Sequence, residues 1–254
     1  MLVQGKKALI FGVANDKSIA YAIAKELKNN GASIALSYAG EALQKRVEPI
    51  HAELGGDFLF QCDVTNDQAL ADSAALVRDK WGSFDILVHS VAFANRDDLK
   101  GRYVDTSRDG FHLAMDISAY SLVALCQAYE KLINDNGSIM AMTYYGAEKV
   151  ITNYNIMGVA KAALEASVRY LAMDMGERGI RVNAISAGPL KTLASSGISG
   201  FKTILGTIEE RAPLRRNIVQ EDVGKTGLFL ASDLSQAITG EVIHVDSGYN
   251  IMGI

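Results

Sequence analysis

Short apolar runs alternate with longer segments whose apolar residues recur every three or four positions along most of the 254-residue chain. The short runs are rich in β-branched and aliphatic residues, as in buried strands, and the longer segments have the period of amphipathic helices. The predicted strands are 8–11, 33–38, 58–62, 84–89, 138–142, 181–186 and 242–245. The predicted helices are 18–30, 41–54, 68–81, 108–133 and 155–178, with further helical segments after residue 190.

This alternation predicts an α/β fold with a doubly wound, seven-stranded parallel sheet of the Rossmann type and helices on both of its faces. The chain has three prolines, no internal repeat and no linker-like stretch, so we expect residues 1–254 to form a single domain. Residues 190–214 begin with a stretch rich in glycine and serine, and they are expected to form a small mobile lid over the site.

Charge and cysteine content narrow the classes of partner. A net charge of −4 and a pI near 5.6, with lysines and arginines scattered among acids, provide no basic field for nucleic acid or an anionic membrane. Neither a membrane-spanning run of ~18 apolar residues nor a secretory leader pattern is recognisable. Cys62 and Cys126 lie in apolar segments without a metal-ligand spacing, so we expect buried thiols, no metal and a reducing cytoplasm.

Small and polar residues that suit a dinucleotide follow four of the predicted strands. Gly12 ends the first strand and Ser18 is a typical N-cap, so a tight turn leads into a helix N-terminus that attracts pyrophosphate. Further such residues follow the third, fourth and sixth strands, at 63–64, 90–92 and 186–192. Because parallel strands end at one edge of the sheet, the four segments together indicate a cofactor site. Each alone is compatible with an ordinary loop, since the first turn is not G-x-G-x-x-G.

Two tyrosines and a lysine follow the fifth predicted strand. Tyr154 and Lys161 are seven residues apart, about two helical turns, so both side chains are expected on one helix face. Such a pair can stabilise a developing oxyanion and hold a cofactor hydroxyl, and the field of Lys161 is expected to lower the pKa of Tyr154. Tyr144 is a second phenol at the strand end. The alternative interpretation is a half-buried helix face with a lysine that reaches solvent.

Together with motifs along nearly the whole chain, this spacing resembles the bacterial NADH-dependent enoyl-acyl-carrier-protein reductases, a divergent branch of the short-chain dehydrogenases. Other short-chain dehydrogenases place the tyrosine four residues before the lysine, where this chain has Met157. The shared motifs are Gly12 with 18–21, 62–64, 88–94, 116–118, 144–148, 154–161, 181–189, 192–197 and 240–246.

The resemblance implies roles for the matching residues. Tyr154 is similar to the catalytic tyrosine that binds the thioester carbonyl oxygen, Tyr144 to a second active-site tyrosine, and Lys161 to the lysine that binds the nicotinamide ribose. Ala94 matches a substrate-contacting position. The positions that match cofactor contacts are Gly12, Ser18, Ile19, Asp63, Val64, Val91, Lys161, Leu190, Lys191, Thr192, Leu193 and Ala194. The family also implies fatty acid biosynthesis, an enoyl thioester on acyl carrier protein as substrate, and a homotetramer.

Three questions stay open at the level of the sequence. Relatives that use NADH often have glutamine where this chain has Ala39, whereas Glu41 repels a 2′-phosphate, so NADH is favoured and NADPH is the alternative. The alternatives to enoyl reduction are a short-chain dehydrogenase that acts on a carbonyl substrate and a non-catalytic dinucleotide-binding regulator. The candidate sources of the proton that the substrate α-carbon receives are Tyr144, Tyr154 through a relay, and water.

Overall fold

The computed structural model describes residues 1–192 and 201–253, and these contain one sheet of seven parallel strands. The strands are β1 (Lys7–Phe11), β2 (Ser33–Tyr38), β3 (Phe58–Gln61), β4 (Phe84–His89), β5 (Ile133–Thr143), β6 (Arg181–Ala187) and β7 (Val242–Val245). Their order across the sheet is β3-β2-β1-β4-β5-β6-β7. The predicted doubly wound parallel sheet is therefore confirmed, and its order reverses between β1 and β4, where open α/β sheets bind ligands.

Helices cover both faces of this sheet. They are α1 (Ile19–Asn29), α2 (Glu41–Leu54), α3 (Asp67–Trp81), α4 (Arg108–Met115), α5 (Ser121–Tyr129), α6 (Asn155–Met175), α7 (Phe201–Arg211) and α8 (Gln220–Ala231). Along β1, Leu9 and Phe11 pack into a core with residues of α3, α5 and α6, whereas Ala8 and Ile10 pack into a second core with residues of α1, α2 and α8. Because the strands are buried on both faces, they appear in the sequence as continuous apolar runs. These packed strands fix the position of the sheet edge at which they end.

Two elements differ most from the sequence prediction. The predicted helix 108–133 is interrupted by a π-helical turn at Asp116–Tyr120 and ends at Tyr129. β5 begins at Ile133 rather than at residue 138, and its register against β4 shifts between Phe84 and Ile86. The polar residues 134–136 have the composition of a turn, but a backbone irregularity lets the strand continue through them. The hydrophobic pattern contains no signal for either feature.

The predicted lid is only partly within the described residues. Residues 193–200, which include Leu193 and Ala194, lie outside them. Of the remainder, α7 occupies Phe201–Arg211. The lid therefore stays a prediction.

Candidate active site

A cavity of about 730 Å³ opens where the strands end. Its wall is built from residues at or after the ends of β1 to β6 and from the first turns of α6. This volume is within the range of small-molecule and cofactor sites. The predicted site residues that line it are Gly12, Ser18, Ile19, Val64, Val91, Ala94, Tyr144, Tyr154, Lys161, Leu190 and Thr192. The structure thus gathers into one space residues that are far apart in the sequence.

Two predicted cofactor residues do not line this cavity. The Asp63 carboxylate accepts hydrogen bonds from the backbone N–H of Thr65 at 3.0 Å and from its hydroxyl at 2.8 Å. These bonds form the turn before α3 and occupy the carboxylate in local structure, while Val64 takes the lining position. The Lys191 side chain is exposed and lies outside the lining. For both residues a cofactor contact stays a prediction.

The turn between β1 and α1 approaches the loop after β4 closely. Gly12 has φ of +102°, and a Cβ there would lie 2.0 Å from the carbonyl oxygen of Ser90. Only glycine meets both constraints, so the floor of the cavity can be formed by backbone. Ser18 lies at the N-cap position of α1, but its hydroxyl accepts hydrogen bonds from Ala14 N and Asn15 N, each at 3.0 Å, instead of capping the helix.

This arrangement of Ser18 corrects the expectation that its side chain caps α1, and it bears on the site. The hydroxyl folds the turn back, and no side chain caps α1 within the described residues. The first N–H groups of α1 therefore keep their hydrogen-bonding capacity beside Ser18 and Ile19, which line the cavity. Such an N-terminus favours an anion through its N–H groups and its positive dipole end.

Tyr144 and Tyr154 form a pair of phenols at the end of β5 and the start of α6. Their ring centroids are 5.0 Å apart with an interplanar angle of 76°, a T-shaped contact. Gly146 makes room for this pair, since a Cβ there would lie 2.4 Å from Cδ1 of Tyr154. Gly146 lies in the shared motif 144–148, but the sequence analysis assigned it no role, because its close approach to Tyr154 is visible only in the structure.

Burial keeps both phenols neutral. It raises the pKa of Tyr144 to about 12 and the pKa of Tyr154 still further, and nearby Tyr144 and Glu165 add to the effect on Tyr154. The expectation that the field of Lys161 lowers the pKa of Tyr154 is therefore wrong, because desolvation dominates this pKa and raises it. A neutral phenol keeps its proton and can donate it in a hydrogen bond.

Lys161 is 5% exposed and lies in α6 beside the end of β5. Its Nζ donates a hydrogen bond to the carbonyl oxygen of Met142 at 2.8 Å. Burial lowers the pKa of Lys161 to about 8, and the negative field of Glu165 opposes that shift. At neutral pH the side chain is thus mostly an ammonium. Tyr154 and Lys161 line one cavity, as their spacing predicts.

Hydrogen bonds connect the π-helical turn to the loop after β4. Ser118 Oγ accepts a hydrogen bond from Phe93 N and donates one to Phe93 O, each at 3.0 Å. Ser121 Oγ donates to Ile117 O at 2.7 Å and therefore accepts from His89 Nε2, also at 2.7 Å. Sequence reasoning assigned these residues no role, although a π turn frequently marks a functional site.

Other residues also line the cavity. Asn95, Arg96 and Leu99 of the loop after β4 were not predicted to do so. Tyr38, the last residue of β2, and Ala39, the position that bears on cofactor selectivity, line it as well. Lys161 and Arg96 carry the charged side chains of the described lining. Across residues 1–192 and 201–253 there is no cluster of three metal-binding side chains and no helix long and apolar enough to span a membrane.

Comparison with known proteins identifies relatives along the full chain. The family model described as enoyl-(acyl carrier protein) reductase matches residues 12–250. The chain is 57% identical over 252 residues to the protein named enoyl-acyl-carrier-protein reductase (NADH) FabI of Rickettsia typhi, covering 99% of this chain and 97% of the relative.

Solved structures agree in fold. The Bacillus cereus enoyl-acyl carrier protein reductase, crystallised with NADP+ and an indole naphthyridinone, has a TM-score of 0.98 and 53% identity, covering 100% of this chain and 99% of that one. The Anaplasma phagocytophilum enoyl-(acyl-carrier-protein) reductase in complex with NAD has a TM-score of 0.96 and 51% identity, covering 100% and 97%. The likeness therefore extends over the whole architecture.

Proposed function

The chain belongs to the enoyl-(acyl carrier protein) reductase family, and we infer that it reduces the trans-2 double bond of enoyl thioesters with NADH in fatty acid biosynthesis. The observation that carries this inference for the chain itself is that the half-buried Tyr144, the buried Tyr154 and the buried Lys161 all line the cavity. A sensor that only binds a dinucleotide has no need for a buried phenol and a buried ammonium in one cavity.

A dinucleotide fits the residues present. The close approach of Gly12 to Ser90 leaves backbone at the floor of the cavity, and the uncapped start of α1 suits pyrophosphate. Val64, Ile19 and Lys161 all line the cavity, which supports the proposal that the first two provide apolar surface for the adenosine end and that Lys161 binds ribose hydroxyls. Bound NADH supplies the hydride that reduces the substrate β-carbon.

The phenols stabilise the charge that develops on the substrate. As the β-carbon is reduced, negative charge builds on the thioester oxygen, and a donor already aimed at that oxygen lowers the barrier. Tyr154 is the proposed donor, because its neutral hydroxyl lies in a nearly water-free environment. Tyr144 packs against it and orients it. The α-carbon must also receive a proton, and its alternative sources are Tyr144, Tyr154 through a relay, and water.

The residues after β2 favour NADH over NADPH. Tyr38 and Ala39 line the cavity there, and Glu41 begins α2. The segment 39–41 contains no arginine or lysine to pair with a 2′-phosphate, and the Glu41 carboxylate repels one. NADPH stays the alternative cofactor.

We propose that the thioester is presented by acyl carrier protein. Such carriers are acidic, and two exposed cations suit an acidic partner: Lys191, which lies between the lining residues Leu190 and Thr192, and Arg215. Arg216 is engaged instead by Asp222 at 2.7 Å.

We also propose a homotetramer of single-domain subunits with a lid at 190–214. Tyr170 and Met173 on α6 are 77% and 80% exposed, as expected of a face that a second copy covers. The free, buried Cys62 and Cys126 fit a reducing compartment, and we propose the cytoplasm. Sedimentation equilibrium that gives the monomer mass at micromolar concentration would contradict the tetramer.

The decisive test is oxidation of NADH, and separately of NADPH, with a short trans-2-enoyl thioester as acceptor. Rapid turnover that prefers NADH is the expected result. Turnover only with carbonyl acceptors would assign the chain to carbonyl-reducing short-chain dehydrogenases. Binding of NADH without turnover of either acceptor class would favour the non-catalytic regulator.

A further inference from the structure

The last two residues of β5 hold two buried charged groups from consecutive turns of α6. The Met142 carbonyl oxygen accepts a hydrogen bond from Lys161 Nζ at 2.8 Å. The Thr143 hydroxyl donates to Glu165 Oε1 at 2.7 Å. Since Lys161 and Glu165 are four residues apart on one helix, their side chains lie on the same face. One strand end therefore fixes both the lysine and a carboxylate on the same face of α6.

Both charged side chains are largely removed from water. Lys161 is 5% exposed and Glu165 is 7% exposed. A buried charge is costly unless an opposite charge or strong hydrogen bonds compensate it. The Met142 carbonyl is a neutral acceptor and compensates only part of the lysine's charge. Glu165 has no assigned role in the reaction, yet its field is the one that opposes the loss of the Lys161 proton.

We propose that Glu165, held by Thr143, is a positioning residue whose carboxylate keeps the Lys161 side chain protonated for binding the cofactor ribose. This inference rests on the proposed function, because that function assigns Lys161 to the ribose. Glu165 does not line the cavity, so in this proposal it acts through Lys161 and not by contact with cofactor or substrate. Thr143 orients the carboxylate and favours its ionised form by donating to it.

Other charged groups surround the pair and modulate the effect. Burial raises the pKa of Glu165 and Glu148 adds to that rise, while the Thr143 hydrogen bond, His244 of β7 and Arg169 of α6 oppose it. His244 Nε2 lies 2.9 Å from Glu148 Oε1, so these two groups partly offset each other. The positive charge of Lys161 acts on His89 of β4, which burial keeps neutral, and Glu165 also acts on Tyr154. Glu165 is thus the anion that acts on Lys161.

The test compares Glu165→Gln with the wild type by NADH binding, followed by fluorescence between pH 6 and pH 10. The glutamine oxygen can still accept from Thr143, so the variant removes charge while it keeps the hydrogen bond. In the wild type, affinity is expected to fall as pH rises through the Lys161 pKa of about 8. Without the carboxylate the ammonium is less favoured, so the fall should occur about one pH unit lower.

Three further variants separate this role from a structural one. Glu165→Asp keeps the charge, and Thr143→Ser keeps the donor hydroxyl, so both should retain the wild-type pH dependence. Glu148→Gln removes a carboxylate that contacts His244 rather than one that acts on Lys161, and it should leave the curve in place. Thr143→Val removes the hydroxyl that donates to the carboxylate, so it should shift the curve in the same direction as Glu165→Gln. It therefore tests the proposal even if the glutamine variant fails to fold.

Coincident curves for the wild type and Glu165→Gln, or an equal shift in Glu148→Gln, would overturn the proposal. The readout is cofactor binding, so it is informative whether or not the protein turns over enoyl thioesters. Turnover by the wild type tests the proposed function separately. If turnover is present, the alkaline limb of its pH profile should move with the binding curve in Glu165→Gln.

Discussion

Tyr154 is buried and lines the cavity, and the proposed function assigns its hydroxyl to the thioester oxygen. We expect Tyr154→Phe to lower kcat by about 10²–10⁴-fold, because the donor to the thioester oxygen is lost. NADH binding should persist, since Gly12, Ser18 and Lys161 are unchanged. Stopped-flow measurement of NADH oxidation and a binding titration check both parts.

The adjacent tyrosine provides a matched control. Tyr145 OH donates to Asn250 O at 3.1 Å, so Tyr145→Phe removes one phenolic hydroxyl in the same segment without touching the cavity. Its kcat should remain within about twofold of the wild type. A loss as large as that in Tyr154→Phe would mean that the hydroxyls act by stabilising the segment, and it would refute the role of Tyr154.

Gly146 is expected to determine the position of the Tyr154 ring. In Gly146→Ala the new methyl would lie 2.4 Å from Cδ1 of Tyr154, so the ring must move. A displacement of this size should reduce kcat on the order of 100-fold while NADH affinity stays near that of the wild type. Gly176→Ala is the control, because a Cβ there meets no atom within 4 Å. Equal kinetics for the two variants would show that the ring tolerates the shift.

The residue types in the sequence predicted the chemistry of the proposed site better than they predicted the geometry of that site. Tyr144, Tyr154 and Lys161 were recognisable because a reaction that builds an oxyanion needs donors and a fixed charge. Ser18 and Asp63 also have recognisable chemistry, but each has several local hydrogen-bonding options. The structure uses both in turns, through Ala14 N and Thr65 N. Short polar side chains compete for nearby backbone groups, and sequence alone does not decide that competition.

Among the elements, the π-helical turn at Asp116–Tyr120 connects the helix layer to the loop after β4. In Ser118→Ala, Phe93 N and O lose their partner, which should reduce the free energy of unfolding by about 1–3 kcal/mol. Because the same loop carries Val91 and Ala94, the KM for the thioester should rise as well. Urea unfolding and steady-state kinetics measure the two effects.

Ser167→Ala is the matched control for that element. Ser167 Oγ donates only to Ala163 O at 2.9 Å, within α6 itself. Removing this bond should change stability by less than about 0.5 kcal/mol and leave KM unaltered. If Ser118→Ala behaves like Ser167→Ala, the loop after β4 does not depend on the π-helical turn.

The same turn shows which elements the sequence can predict. Six of the seven strands begin and end within one residue of their predicted bounds, because each is a short apolar run between breakers. A π turn adds a residue to a helix whose apolar period continues on both sides, so the period predicts one unbroken helix. The start of β5 was missed for the opposite reason. The polar residues 134–136 interrupt the apolar pattern, but the backbone continues through them as a strand.

At the scale of the whole molecule, the strand ends form one edge of the sheet. This edge carries the proposed active site and also several buried titratable groups, whose burial costs free energy. Lys161, Glu165 and His89 are 5%, 7% and 0% exposed, and all three lie around the ends of β4 and β5. The alternation of strands and helices predicts this edge, because parallel strands must end together. It does not predict which titratable groups lose their water, since that depends on contacts between residues far apart in the chain.

This burial predicts how stability depends on pH. Burial and the positive field of Lys161 lower the pKa of His89 to about 3, whereas an unfolded histidine titrates near ~6.5. Above pH ~6.5 the ring is neutral in both states and has no effect. Between there and pH 3 the unfolded chain binds a proton that the folded protein excludes, so His89 should cost about 1.4 kcal/mol of stability per pH unit. Replacing the ring removes this dependence.

Urea unfolding of the wild type and His89→Gln between pH 6.5 and pH 4.5 measures the difference in slope, which should approach about 1.4 kcal/mol per pH unit. His112→Gln, an exposed position on α4, should keep the wild-type slope. NMR titration of the wild-type imidazole gives an independent reading, because the His89 ring should stay neutral at pH 4.5. A ring that protonates near pH 6, or parallel slopes for the wild type and His89→Gln, would show that water reaches this edge of the sheet.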